Sequence, residues 1–432
     1  MADITLAVLP FADLSPEQDQ AYFCTGISEE LLDALGKSRT LRCIPRPLSA
    51  TFGGNAPDMR AVGTRLQASH ILHGSVRRGG ARLMLEARLV DVANERDVWT
   101  EKYERAIGDL LTVLDDIVLH VLRALGGEAD QRCTVRYGVS DDPRAYDAYL
   151  QGLAHFHEYG ARSTDLAITA FHTAVDTDPS FARAWTRLAD SYAKKYMFYD
   201  SSNAQNRQRA AEAARKAVEL APDYAQAHTA LGVALTLNKD FMAAEAAYEK
   251  AIELDPKLYT AYYHYARACF QQGRLKKSAE LFEKAAQARP QDYQVPLLLR
   301  QVYLSLGEVD KAIETARHGI QLAVRHLELY PNDARAIYLA CGSMIQLGMY
   351  KQAIEWAGKA LAIDPTDPTV NYNVACCYSQ AGEYDKALDC LEKAKGSGVL
   401  SAGWLKNDSD LIALHDHPRF RALLEELEKL EG

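Results

Sequence analysis

A proline recurs along the carboxy-terminal two-thirds of this 432-residue chain at nearly constant spacing, each time at the end of an acidic or alanine-rich stretch: Asp178-Pro179, Ala221-Pro222, Asp255-Pro256, Arg289-Pro290, Tyr330-Pro331 and Asp364-Pro365. The intervals are 43, 34, 34, 41 and 34 residues. Proline ends a helix because it lacks an N–H and clashes with the preceding turn. A period of 20–50 residues built from two helices marks a repeat architecture, in which each unit buries its apolar face only against the next.

Small residues alternate with large ones within each interval as close helix packing requires. The third repeat has Leu231-Gly232, then Ala244, Tyr248 and Ala251; the fourth has Tyr265-Ala266, Ser278, Phe282 and Ala285. The second opens on Trp185, Leu188, Ala189 and Tyr192, the sixth has Cys341, Ala353, Ala357 and Ala360, and the last Ala375, Tyr378, Ala387, Leu391 and Ala394. This is the tetratricopeptide signature. It predicts an all-α, right-handed solenoid of about seven helix-turn-helix repeats over residues 144–395. The 41-residue interval exceeds 34 by seven residues, about two helical turns, and predicts a longer helix over Ala312–Leu329. The 43-residue interval carries the polar insertion KKYMFYDSSNAQ, expected to lengthen a turn between helices. After a Gly-Ser-Gly break, residues 396–432 read as a cap, with Leu423, Leu424, Leu427 and Leu430 spaced to cover the last open face.

Residues 1–127 have a different pattern. ITLAVLPF, residues 4–11, is an apolar run of strand length, followed by an amphipathic helix over Ser28–Leu35 entered through Gly26, and a strand over Leu41–Pro45. A helix over Met59–Gln67 precedes the runs His70–Arg77 and Arg82–Val92, which flank Gly79-Gly80 as a hairpin. Asp97–Tyr103 adds a strand and Leu110–Leu125 a closing helix. The expectation is an α/β domain over 1–127, with a polar linker over 128–143.

The strings LAVLPFADLSPEQDQAYFCTGISEELLDAL and SHILHGSVRRGGARLMLEARLVDVANERDVWTEKY resemble the TolB-amino-terminal-like domain of bacterial signalling proteins. In that family the domain precedes tetratricopeptide repeats that end in a YN-x-AC-x-Y segment and a D-P-R-F cap. Here these correspond to Tyr372-Asn373-Val374-Ala375-Cys376-Cys377-Tyr378 and, with His for Asp, to His417-Pro418-Arg419-Phe420. The resemblance implies a unit found beside winged-helix, class III cyclase or protein-kinase domains. None of those domains is evident in this sequence.

The chain carries 49 basic and 58 acidic residues, 14 against 17 of them within residues 1–127. Neither part offers the basic stripe that a phosphate backbone requires, so no direct nucleic-acid binding is expected. No run of about 18 apolar residues occurs, and the amino terminus lacks a basic region and long apolar core. The expectation is a cytoplasmic chain without membrane insertion. Eight cysteines show no C-x-x-C spacing and are expected as reduced thiols.

Gly53-Gly54 and Gly79-Gly80 match neither phosphate-binding loop. Arg77, Arg78 and Arg82 are expected as solvated surface beside a hairpin. The pairs His70/His73, His155/His157 and His415/His417 lack partners at ligand spacing, so no metal is expected. No nucleophile-base arrangement is evident. Neither a catalytic residue nor a cofactor is expected.

In tetratricopeptide arrays the first helices of successive repeats line a concave face. Counting from the small residue of each repeat places there Tyr146, Tyr149 and Phe156; Thr186 and Asp190; Thr229; Tyr263, Arg267 and Phe270; Gln301; Tyr338; and Tyr372. Some of these aromatics are expected to pack between helices. Tyrosine and arginine combine large contact area with a polar handle, the chemistry that interfaces favour. The strip lacks both the Lys/Asn clamp of chaperone-tail binders and the Asn ladder of sugar-transferase members. The reading is a non-enzymatic scaffold or sensory module that binds a protein or peptide, with pairing of two copies left open. A cyclase-associated enzyme component and a cell-envelope assembly factor are the alternatives.

Overall fold

The structure, a computed structural model, describes residues 4–38, 40–45, 49, 52, 58–80, 82–127, 133–158, 160–395, 400 and 402–431, the last two by backbone alone. Gly53-Gly54, the Gly-Ser-Gly break and the side chain of Leu430 lie outside them. Packing divides the chain into two compact units, Met1–Leu188 with Arg215–Tyr224, and Ala189–Ala214 with Ala225–Gly432.

The first unit holds a sheet of order β3-β1-β4-β5-β6, with β2 paired to β4. Its strands are β1 (Ile4–Val8), β2 (Ala12–Asp13), β3 (Leu41–Cys43), β4 (His70–Gly79), β5 (Arg82–Asp91) and β6 (Arg96–Ala106). β1 runs parallel to both β3 and β4, while β4, β5 and β6 form an antiparallel meander. Strand β1, flanked by β3 and β4, is buried through Leu6, Ala7 and Val8. That is why its sequence is a continuous apolar run. On β5, Leu83, Leu85, Ala87 and Leu89 are buried and Met84 is exposed, the alternation of a half-covered strand.

Helices α1 (Ala21–Gly36) and α3 (Leu110–Ala124) pack on the sheet. On the other side of β1 and β4, Ala7, Leu9 and Ile71 meet Val62 and Leu66 of α2 (Met59–Leu66). The sequence expectation for α1 is corrected here. The helix begins seven residues before Ser28, and Gly26 lies inside it. Its role is close approach: a Cβ there would fall 2.6 Å from Leu150 Cδ2 in α4 (Pro143–Phe156). The described part of the connection ahead of α4, residues 133–142, makes packing contacts. Val135 is fully buried, and Asp115 accepts hydrogen bonds from its N–H and from Thr134 Oγ1, both at 2.8 Å.

From α4 onward fourteen consecutive described helices follow, two per repeat interval. They are α4, α5 (Ala161–Thr177), α6 (Ala182–Phe198), α7 (Ala204–Leu220), α8 (Ala225–Leu237), α9 (Phe241–Leu254), α10 (Tyr259–Gln271), α11 (Leu275–Ala288), α12 (Gln294–Ser305), α13 (Val309–Leu329), α14 (Ala334–Gln346), α15 (Tyr350–Ile363), α16 (Pro368–Gln380) and α17 (Tyr384–Ala394). In the second unit, α8/α9 to α16/α17 pack as hairpins, and first helices also meet first helices, as α8 with α10 and α14 with α16. One residue with positive φ turns the chain inside each hairpin: Lys239, then Gly273, Gly307, Gly348 and Gly382. Four of the five are glycine because a Cβ is disfavoured there.

The seven extra residues of the 41-residue interval lengthen α13, which has 21 residues against 14 in α11. The nine of the 43-residue interval behave otherwise than expected. Compared with α8 and α9, four extend α6, three extend α7, and only two enter the turn between them. The insertion therefore carries α6 onward to Phe198. At the carboxy end, α18 (Ala402–Asn407), a 3-10 turn (Ser409–Leu414) and α19 (Pro418–Glu431) close the core. Leu423 and Leu427 are buried with Phe420 and Leu391, and Leu424 packs beside them.

Candidate functional site

Within the second unit the first helices bring polar and aromatic side chains together across wide sequence separations. The guanidinium of Arg335, in the first turn of α14, donates from Nε to Gln294 Oε1 (3.0 Å), from Nη1 to Tyr338 Oη (3.0 Å) and from Nη2 to Tyr263 Oη (3.3 Å). Its flat face lies over the ring of Phe198, 5.6 Å from the centroid. Arg267 lies over the Tyr263 ring at 5.8 Å. His264 meets the Tyr263 ring edge to face, with centroids 5.1 Å apart. Burial pushes its imidazole down to about 3, with help from Arg267 and Arg335, so the ring is neutral at physiological pH.

Toward the carboxy end of the same face, Tyr372 is tied to the cap. Its hydroxyl donates to Asp408 Oδ2, and Trp404 Nε1 donates to that hydroxyl at 2.5 Å. Cys376, Asp408 and Asp410 place three donor atoms within 4.8 Å of one another. Burial and the two aspartates push the Cys376 thiol well above its ordinary value. The thiol donates to Asp408 Oδ2 at 3.7 Å.

The twelve residues expected on the concave face are distributed unevenly. Tyr263 and Tyr338 are buried, each hydroxyl accepting from Arg335; Arg267 lies over Tyr263, Phe270 is half-buried on the same helix and Gln301 is exposed on α12. Asp190 is half-buried. Tyr146 and Tyr149 require correction: both are buried in the first unit against Phe181, and the Tyr149 hydroxyl donates to Glu30 Oε1 at 3.1 Å. They serve packing because α1 covers α4. Phe156, half-buried in the same unit, lies under Arg187 at 5.4 Å. Thr186 and Thr229 are buried too, each hydroxyl turned back to the carbonyl four residues earlier.

Other polar side chains also acquire partners. Arg78 is not simply solvated: it pairs with Asp147 at 2.6 Å and lies over the Phe23 ring. Arg82 does pair on the surface, with Glu104 at 2.9 Å. His157 meets Glu29 at 2.7 Å, a carboxylate 128 residues away that spacing alone does not reveal.

Gln294, Arg335 and Thr369 were missed, although the count that selects Tyr338 and Tyr372 selects the latter two three residues earlier. Phe198 carries no such signal because it belongs to the insertion.

Residues 202–258 and 238–293 match one tetratricopeptide repeat family, and residues 270–326 a second. The helical array is a tetratricopeptide solenoid. Residues 320–394 of the solenoid match the family of anaphase-promoting complex, cyclosome, subunit 3. Putative adenylate cyclase 3 of Rhizobium meliloti is 29% identical over 249 residues, covering 56% of this chain and 42% of that protein. TPR repeat-containing protein YpiA of Bacillus subtilis is 22% identical over 259 residues, covering 54% and 59%. The chain thus spans less than two thirds of either relative's length. Among solved structures, IFIT1, as a monomeric mutant with Gppp-AAAA, shares the fold at a TM-score of 0.50 and 17% identity, covering 74% of this chain and 73% of that one. The solenoid is joined to a small amino-terminal α/β sheet region, and among the described residues no helix is long and apolar enough to cross a membrane.

Proposed function

We propose that this chain is a non-enzymatic interaction module of a bacterial signalling protein, holding a peptide or protein on the first-helix face of its solenoid. The observation that carries this reading is the convergence of Tyr263, Gln294, Arg335 and Tyr338 from three successive first helices. A planar cation among neutral hydroxyls and an amide can stack on side chains and hydrogen-bond backbone carbonyls. The TolB-like region, as the sequence resemblance implies, stabilises or relays. We place the module in the cytoplasm, without nucleic-acid binding, metal or cofactor, and with self-pairing open to measurement.

The match to a putative adenylate cyclase favours a second reading, in which such a module regulates a cyclase-type domain. Both are tested by affinity capture from a bacterial lysate, comparing the unaltered chain with an Arg267→Glu, Gln301→Ala variant of the same melting temperature. A protein retained by the first and lost by the second supports the face as the working site, and its identity separates the readings. Equal retention by both, or none by either, removes the face from consideration.

A further inference from the structure

The first-helix face of the second unit already holds a segment of the chain itself. The end of α6, carried onward by the insertion, brings Phe198 onto helices 137 and more residues later in sequence. Its ring lies under the guanidinium of Arg335, and its backbone carbonyl accepts from Thr369 Oγ1, in the first turn of α16, at 3.1 Å. That carbonyl is one of the last four of α6 and has no partner within its own helix. Meanwhile Tyr199 and Asp200 close the helix through N–H bonds to Lys195 O at 3.0 and 2.9 Å.

We propose that this contact is a built-in copy of the ligand: the face binds a peptide whose aromatic side chain and adjacent carbonyl take the places of Phe198, and the end of α6 competes with it. The inference rests on the interaction-module reading above and names the partner's chemistry. Arg335 meets the ring through its flat face while its edge is held by Gln294, Tyr338 and Tyr263, a geometry that selects a planar apolar group. Thr369 selects a carbonyl. Neither Phe198 contact is made to an anion, which favours a peptide over a phosphate-bearing ligand. Because the occupant belongs to the same chain, a peptide from outside competes with an intramolecular contact. A peptide in trans then binds with an apparent affinity reduced by the fraction of molecules in which the site is open.

The test uses the whole chain and a fluorescein-labelled peptide copying residues 194–203, KKYMFYDSSN, followed by anisotropy. Phe198→Ala vacates the ring position under Arg335 and weakens the hold of the α6 end, and is expected to bind the peptide about tenfold or more tightly than the unaltered chain. Adding Thr369→Val to Phe198→Ala, or using the peptide KKYMAYDSSN, is expected to abolish the gain. Thr369→Val removes one hydroxyl and preserves shape; Arg335→Gln serves as an independent second variant, with circular dichroism melts confirming the fold of each. Equal binding to the unaltered and Phe198→Ala chains, indifference to the aromatic of the peptide, or no binding by any chain overturns the proposal. If capture from lysate still yields a partner lost with Arg267→Glu, Gln301→Ala, only the ligand copy fails; if capture fails too, the interaction face itself is wrong.

Discussion

Glu30 in α1 and Arg183 in α6 form an ion pair across 153 residues, with both side chains almost wholly shielded from water. Arg183 also donates from Nε to the carbonyl of Tyr137 at 2.9 Å and lies over the Tyr224 ring, while Tyr149 donates to the same carboxylate. Burial, with Asp33 and Glu29 nearby, raises the Glu30 carboxyl and Arg183 opposes that rise. Arg183→Met leaves the carboxylate buried without its cation and is expected to destabilise the first unit by about 3–5 kcal/mol. Adding Glu30→Leu removes the unpaired charge and is expected to recover most of that loss. Urea unfolding of both variants checks it.

Lowering the pH acts on the second unit through His264. Its folded value of about 3 lies below the ordinary 6.5, so below 6.5 the unfolded chain takes up a proton that the folded chain refuses. The stability contributed by the neutral ring is fully present above 6.5 and is lost progressively as pH falls from there toward 3. His264→Gln is expected to flatten this part of the profile in thermal melts between pH 7 and 4.

At Gly232 an added Cβ would fall 2.6 Å from the Tyr248 ring, which is itself buried. The ring is rigid and stacked on Tyr265, with centroids 5.3 Å apart. Gly232→Ala is therefore expected to cost about 1–3 kcal/mol despite alanine's better helix propensity. A drop in the urea midpoint with unchanged slope is the expected signature.

The eight cysteines are unbridged, and Cys43 alone among them is not buried. Burial pushes Cys24 up to about 12 and Cys390 to about 11. In a native titration with a thiol reagent, Cys43 is expected to react first and the other seven only on unfolding. Cys43→Ser should remove the fast phase.

The sequence by itself determined the repeat. Proline spacing, small-residue positions and an extra seven residues in one interval fix where helices end and how long they are, because helix termination and close packing depend on local chemistry. It also determined the hairpin β4/β5 and the buried strand β1, since alternation and apolar runs follow from which faces are covered. Tertiary structure decided which of the twelve counted side chains remain at the surface. Tyr146, Tyr149, Tyr263 and Tyr338 all obey the repeat position and all are buried, the first two because α1 packs over the first repeat and the last two because they close around Arg335, whereas Gln301 stays exposed. Tertiary structure likewise placed Phe198 on Arg335 and Thr369, residues 137 and 171 positions away. An insertion has no period, and a long-range contact depends on where two distant segments are carried by everything between them.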